Sequence, residues 1–161
     1  MSSITCGFIG LGLIGGSIAR ALKDSGEEVR TVAYDTNKKA LTQAYQDGVV
    51  DVLVSDIDSR FSDCDYIFLC APVKVNMENA EKLRPFLSPK TVLTDVGSVK
   101  TEMHVRMEEL GLGPVFIGGH PMAGSERTGY ANSKSKLLQN AYYIITKTPE
   151  TTQERLDGYR R

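Results

Sequence analysis

The sequence predicts an α/β domain, a doubly wound and mostly parallel sheet with helices on both faces. Two observations carry this. Short apolar runs alternate with helical patterns along the chain, and strand, helix, strand, helix in that order builds a parallel sheet through helical crossovers. A glycine-rich turn, Gly10-Leu11-Gly12-Leu13-Ile14-Gly15, also stands between the first apolar run and the first helical pattern.

Thr5 to Ile9 reads as a buried strand. Gly15 to Asp24 reads as a helix, with Ile18, Ala19 and Leu22 at helical spacing and Gly26 just past its end. Val29 to Tyr34 is the second strand. Thr36 is suited to cap a helix through Lys39, Leu41 and Tyr45 that Gly48 stops. Val52 to Val54 is a short strand. Tyr66 to Ala71 is continuous, apolar and closed by Pro72, the strongest strand signal in the chain. A helix from about Val75 to Leu83 follows, then a strand over Thr91 to Asp95, a helix over Lys100 to Leu110 and a strand over Val115 to Gly118. Gly119 to Asn140 is a long polar segment, and long ordered loops are often functional. Tyr142 to Thr146 reads as a last strand, and Glu150 to Arg161 begins a polar helix.

The 161 residues suit one domain with its own core. With 19 Lys and Arg against 20 Asp and Glu, the net charge is −1, without the basic excess that would suggest a nucleic-acid partner. No apolar run approaches the ~20 residues of a membrane helix. The Met1–Cys6 stretch lacks the pattern of a signal peptide. Cys6, Cys64 and Cys70 are odd in number and without metal-ligand spacing, so no metal is expected. Their setting reads as a reducing cytoplasm, and Cys6 and Cys70, in apolar strand-like runs, read as buried structural thiols.

The turn at Gly10 matches the dinucleotide fingerprint G-x-G-x-x-G in the required context, after a strand and opening a helix. This is a Rossmann-type arrangement. Gly10 permits the tight turn, Gly12 lets backbone approach a pyrophosphate, and Gly15 lets helix and strand pack closely. The amides around Leu13 and Ile14 open the helix, where unpaired N–H groups favour an anion. Asp35 ends the second strand, 20 residues beyond Gly15, where an acid accepts bonds from ribose hydroxyls and repels a 2′-phosphate. NAD is therefore the expected cofactor, with Lys38 and Lys39 as solvated neighbours. Ala71 and Pro72 follow the fourth strand at its C-terminal end and line the same crevice.

Of the two histidines, His104 sits in a predicted helix and reads as structural. His120 follows Gly118-Gly119 at a strand end, within GGHPMAGSE, where its imidazole is placed to take a proton from an alcohol as hydride leaves the carbon. Ser98, in TDVGSVK, lies past the fifth strand. Its hydroxyl can orient the imidazole or the substrate, or cap the helix starting near Lys100. Ser125 and Glu126 share the loop of His120, and Glu126 is placed to face a substrate domain.

FIGLGLIGGS, LCAPV, TDVGSVK and GGHPMAGSE, in this order, resemble the N-terminal domain of prephenate and arogenate dehydrogenases from about Ile4 to Thr148. The last two stretches carry most of the specificity. The resemblance implies oxidative decarboxylation of prephenate or arogenate in tyrosine biosynthesis, with hydride transfer to NAD. It implies that His120 is the catalytic base, Ser98 its orienting partner and Glu126 an acid at the site's mouth. It further implies a helical second domain that forms a homodimer and supplies basic groups for the substrate carboxylates. On this reading residues 1–148 form the dinucleotide-binding domain, residues 149–161 begin the connection, and the 161 residues alone are inactive. Two other readings fit parts of the chain. Another hydroxy-acid dehydrogenase or imine reductase would share the glycine turn but not GGHPMAGSE. A non-catalytic NAD-binding module would need neither His120 nor Ser98.

Overall fold

The structure, a computed structural model, describes residues 3–161. Seven strands form one sheet in the order β3-β2-β1-β4-β5-β6-β7. They are β1 (Ile4–Ile9), β2 (Val29–Tyr34), β3 (Val52–Val54), β4 (Tyr66–Leu69), β5 (Val92–Asp95), β6 (Phe116–Pro121) and β7 (Tyr143–Lys147). The first six are parallel, and β7 adds an antiparallel edge on β6. Five helices accompany them: α1 (Leu13–Asp24), α2 (Lys38–Gln46), α3 (Val73–Leu83), α4 (Thr101–Glu109) and α5 (Gln153–Tyr159). The chain runs outward from β1 to β3, then returns to β4 on the other side of β1. The switch point where a doubly wound sheet opens its crevice therefore lies between β1 and β4.

Two apolar layers sandwich the sheet. Ile9, Ile67, Leu69 and Leu93 pack on one face with Met103 and Met107 of α4 and with Leu83 of α3. Phe8, Ala33 and Phe68 pack on the other with Ile18 and Ala19 of α1 and Leu41 and Ala44 of α2. The alternation of Phe8 and Ile9, and of Phe68 and Leu69, sends successive side chains into opposite layers, as strand geometry requires. Cys6 and Cys64 are buried, and burial pushes both thiols up to about 12. They are inert packing groups.

Several boundaries differ from the sequence reading. The cap of α2 is Asn37, whose Oδ1 accepts from Lys39 N at 3.1 Å and Ala40 N at 3.2 Å, so Thr36 is not the cap. β4 ends at Leu69, and Pro72 caps α3, which starts at Val73 rather than Val75. β6 runs on through His120 to Pro121 because β7 pairs with it there, His120 opposite Ile144. The polar segment before β7 carries two 3₁₀ turns, Tyr130–Asn132 and Ser135–Leu138, lashed to α1. Tyr130 is buried under Arg20, whose guanidinium carbon sits 4.7 Å from the ring centre. Its hydroxyl donates to Asp47 Oδ2 at 2.9 Å, and Lys134 N donates to Ser17 Oγ at 3.0 Å. Helix α5 docks on the sheet: Leu156 is buried, Arg155 reaches the carbonyl of Thr91 at 2.7 Å, and the Tyr159 hydroxyl meets Thr94 Oγ1 at 3.0 Å.

Candidate active site

The crevice begins at the turn between β1 and α1. Gly10 has φ +99°, a left-handed conformation, and a Cβ there would lie 2.9 Å from the carbonyl carbon of Cys70. The turns after β1 and β4 therefore touch backbone to backbone. Gly15 is equally tight: a Cβ there would strike Gly10 O and lie 2.9 Å from Cys70 Cβ. Gly12 differs: a Cβ there would meet nothing within 4 Å, so its backbone faces open space. Gly12 is the N-cap of α1 without a side-chain cap bond, no acidic residue sits in the first turn, and the first intrahelical bond is Gly16 N to Gly12 O at 3.0 Å. The amides of Leu13, Ile14 and Gly15 are thus the free donors of a helix N-terminus, an arrangement that fits a pyrophosphate.

Asp35 lies just past β2. Its Oδ2 accepts from Leu11 N at 2.6 Å and its Oδ1 from Asn37 N at 2.7 Å. The carboxylate thereby braces the glycine turn from below and keeps further lone pairs for a hydroxyl. A cleft of about 490 Å³ opens between these groups, lined by Gly10, Gly12, Asp35, Thr36, Ala71 and Pro72. The turn at Ala71 is fixed by Asn76, which the sequence reading missed. Its Oδ1 accepts from Ala71 N at 3.0 Å, and its Nδ2 donates to Leu69 O at 3.1 Å and Ala71 O at 2.7 Å. Amides at Asn76 and Asn79, at helical spacing with the buried Ala80 and Leu83, are the signal that could have found it.

The second cluster lies at the C-terminal ends of β5 and β6. His120 stands inside β6, half-buried, with Nδ1 3.4 Å from Val96 O. A carbonyl only accepts, so the bond is donated by Nδ1–H, and in the neutral ring that leaves Nε2 as the nitrogen with the lone pair. Ser98 is exposed in the loop that also contains Val96. It is not the helix cap, since α4 is capped by Lys100 without a side-chain bond, and the imidazole's protein partner is Val96 O rather than the Ser98 hydroxyl. Glu126 and Ser125 are exposed, and Ser125 Oγ accepts from Arg127 N at 3.1 Å. His104 is held away from this edge, its Nε2 2.7 Å from Thr146 Oγ1 and its ring edge-on to Phe116. Burial pushes its imidazole below the usual range, as suits a structural histidine.

Beneath the second cluster lies Asp95, also missed. Its side chain is 1% exposed and pairs with the ammonium of Lys100. Burial pushes Lys100 down, against the opposing pull of Asp95. The signal was an acid ending a buried strand with a lysine five residues on. Among the described residues no group of three His, Cys, Asp or Glu could hold a metal ion. No helix among them is long and apolar enough to cross a membrane.

A sheet wound in this order, with a bare glycine turn and an acid after β2 at its switch point, defines a Rossmann-type nucleotide-binding domain. The family model described as the prephenate dehydrogenase nucleotide-binding domain matches residues 18–161, and the chain belongs to that family. It is 35% identical over 153 residues to a prephenate dehydrogenase of Lactococcus lactis, covering 93% of this chain and 43% of that protein. The arogenate dehydrogenase of Synechocystis superposes with a TM-score of 0.90 at 36% identity, covering 98% of this chain and 55% of that one. The prephenate dehydrogenase of A. aeolicus, solved with hydroxyphenyl propionate and NAD+, gives a TM-score of 0.91 at 34% identity, covering 100% and 56%. This chain thus spans about half the length of these relatives.

Proposed function

We propose that this chain is the NAD-binding half of a dehydrogenase that oxidatively decarboxylates prephenate or arogenate. The observation that supports the reading is His120, held in a strand through Nδ1 at the same C-terminal edge of the sheet as the bare N-terminus of α1. Gly10, Gly12 and Gly15 shape the turn, and the amides around Leu13 and Ile14 receive the pyrophosphate. Asp35 takes the ribose hydroxyls and favours NAD over NADP, and Ala71 and Pro72 wall the crevice. NAD, when bound, accepts the hydride from the ring carbon that bears the hydroxyl.

His120 Nε2 takes the hydroxyl proton as the carbon–oxygen bond gains carbonyl character. Loss of carbon dioxide then sends its bonding electrons into the ring, which becomes aromatic. Val96 O holds the protonated Nδ1 and so steadies the imidazolium that forms. Ser98 orients the substrate hydroxyl from the neighbouring loop, and Glu126 stands at the mouth. The relatives are about twice as long as this chain. We propose that a helical domain, joined through residues 149–161, completes the substrate site and forms a homodimer in the cytoplasm.

The test is turnover by the intact protein with prephenate and with arogenate, each with NAD and NADP. Reduction of NAD by at least one of the two substrates is expected. Turnover of neither removes the reading, and preference for NADP removes the role given to Asp35.

A further inference from the structure

We propose that Asp95 is a positioning residue for the reaction: its buried carboxylate sets the backbone that carries His120 against the loop that carries Val96 and Ser98. The inference rests on the reading of His120 as the base.

Three observations converge on it. The β5–β6 ladder has only two registered pairs, Leu93 with Phe116 and Thr94 with Ile117, and no registered pair follows them although the strands stay close. Gly119, the residue before His120, is bound instead to the side chain of the last β5 residue. Its N–H donates to Asp95 Oδ1 at 3.2 Å. The other oxygen, Oδ2, accepts from Gly97 N at 3.2 Å and from Lys100 Nζ. One carboxylate therefore replaces the ladder where the ladder fails, and it grips both segments of the proposed site.

Close approach supports the same assignment. A Cβ on Gly119 would lie 2.7 Å from Asp95 O and 2.6 Å from the Tyr143 hydroxyl. The strand is pressed onto Asp95 as only glycine allows. The plainer alternative is a buried ion pair that serves the fold alone, and such pairs often add little stability. Its partners argue otherwise. Gly97 N and Gly119 N lie next to Ser98 and to His120, not in the apolar layers. A shift of about 1 Å in such a base can cost about 100-fold in rate.

The test uses the intact enzyme, with Lys100→Met as the reference so that no lysine is stranded. In that background Asp95→Ala and Asp95→Asn are compared, since asparagine keeps an oxygen for Gly119 N and alanine does not. Asp95→Ala should lower kcat about 100-fold. Asp95→Asn should recover about tenfold of that, and both should bind NAD within about threefold of the reference, because the pyrophosphate donors belong to α1. Added to His120→Asn, Asp95→Ala should cost less than about threefold more, since it acts through the base. Equal kcat for the alanine and asparagine variants, or full additivity with His120→Asn, overturns the proposal. Should the alanine variant not fold, the asparagine variant is read by its pH–rate profile, whose acidic limb should move. An unmoved limb overturns the proposal as well. His120→Asn alone at parent turnover would instead sink the reading of the base, while the alanine–asparagine contrast would still report on Asp95.

Discussion

The two halves of the site are built from different material. At the β1–α1–β2 end the groups proposed to face the ligand are mainly backbone amides, and side chains are mostly missing at Gly10, Gly12 and Gly15. At the β5–β6 end the groups we propose for the chemistry are side chains, His120 and Ser98, and a carboxylate buried beneath them binds the backbone next to each. The first half is sensitive to added atoms and the second to removed ones. Binding and chemistry should therefore separate cleanly under mutation.

The sharpest break would come from His120→Asn. A positioned general base contributes ~10²–10⁴-fold, and asparagine cannot take a proton near neutral pH. Turnover by the intact enzyme should fall by that factor, and the acidic limb of the pH–rate profile should vanish. Affinity for NAD, measured by titration calorimetry, should stay within about threefold, because its main donors are the α1 amides. Ser98→Ala should move turnover the same way by less. Wild-type turnover of the His120 variant would erase the distinction between the halves.

Gly10→Ala probes the other half by addition. A side chain at φ +99° is strained, and its Cβ would strike the Cys70 carbonyl carbon. The cost should be about 2–4 kcal/mol of unfolding free energy, read from denaturant midpoints. NAD affinity should fall with it, since the turn must open to admit the methyl. A variant as stable as the parent would show that the two turns do not touch in solution.

Asp35→Ser is a smaller step. Removing the carboxylate takes away both a ribose acceptor and the repulsion of a 2′-phosphate, each an effect of about 1.5–3 kcal/mol when charge-assisted. The ratio of NAD to NADP affinity should narrow at least tenfold. Affinity for NAD itself should drop as well, because Asp35 also braces Leu11 N and Asn37 N. An unchanged ratio would place the ribose elsewhere.

Legibility in the sequence follows the same division. The backbone-made half was readable, because a glycine turn and an acid at fixed separation are local in sequence and leave a pattern. The winding of the sheet was readable for a similar reason, since each crossover joins neighbouring runs. His120 was singled out from its place just past the expected end of a strand, and the structure puts it inside β6. Its surroundings were not readable, because Val96, which meets the imidazole, and Asp95, which binds Gly119 N, are 24 and 25 residues before His120 and approach it only across two strands. The extension of β6 to Pro121 was hidden for the same reason: it depends on β7, on the far side of a long loop. Thr36 and Asn37 are adjacent and both cap helices well, so only the backbone path, with Asn37 at φ −84° and ψ 93°, chooses between them.

The finest test concerns what holds the backbone-made half from behind. Asp51, just before β3, accepts from Thr31 N at 2.7 Å, from Thr31 Oγ1 at 3.0 Å and from Lys23 Nζ at 2.6 Å, tying the edge of β2 to α1. Burial pushes its carboxyl up, but the Lys23 and Thr31 bonds pull harder, and it is held below the usual carboxylate range. A depressed folded value means that its stabilisation is complete above the unfolded value of about 3.9 and is lost as pH falls through the folded one. The carboxylate is 41% exposed, so solvent screens the pair, and the bonds are worth about 0.5–1 kcal/mol. Asp51→Asn should therefore unfold more easily than the parent by that amount between pH 5 and pH 7, ranges well above about 3.9. The difference should shrink as pH drops below about 4 and disappear once the parent's own carboxyl is protonated in the fold. NAD affinity at neutral pH should not change, since no Asp51 contact reaches the glycine turn. A stability gap that persists in strong acid would mean that the residue acts by shape and not by charge. A loss of NAD affinity would mean that the backbone half depends on side chains after all, and would close the distance between the two halves.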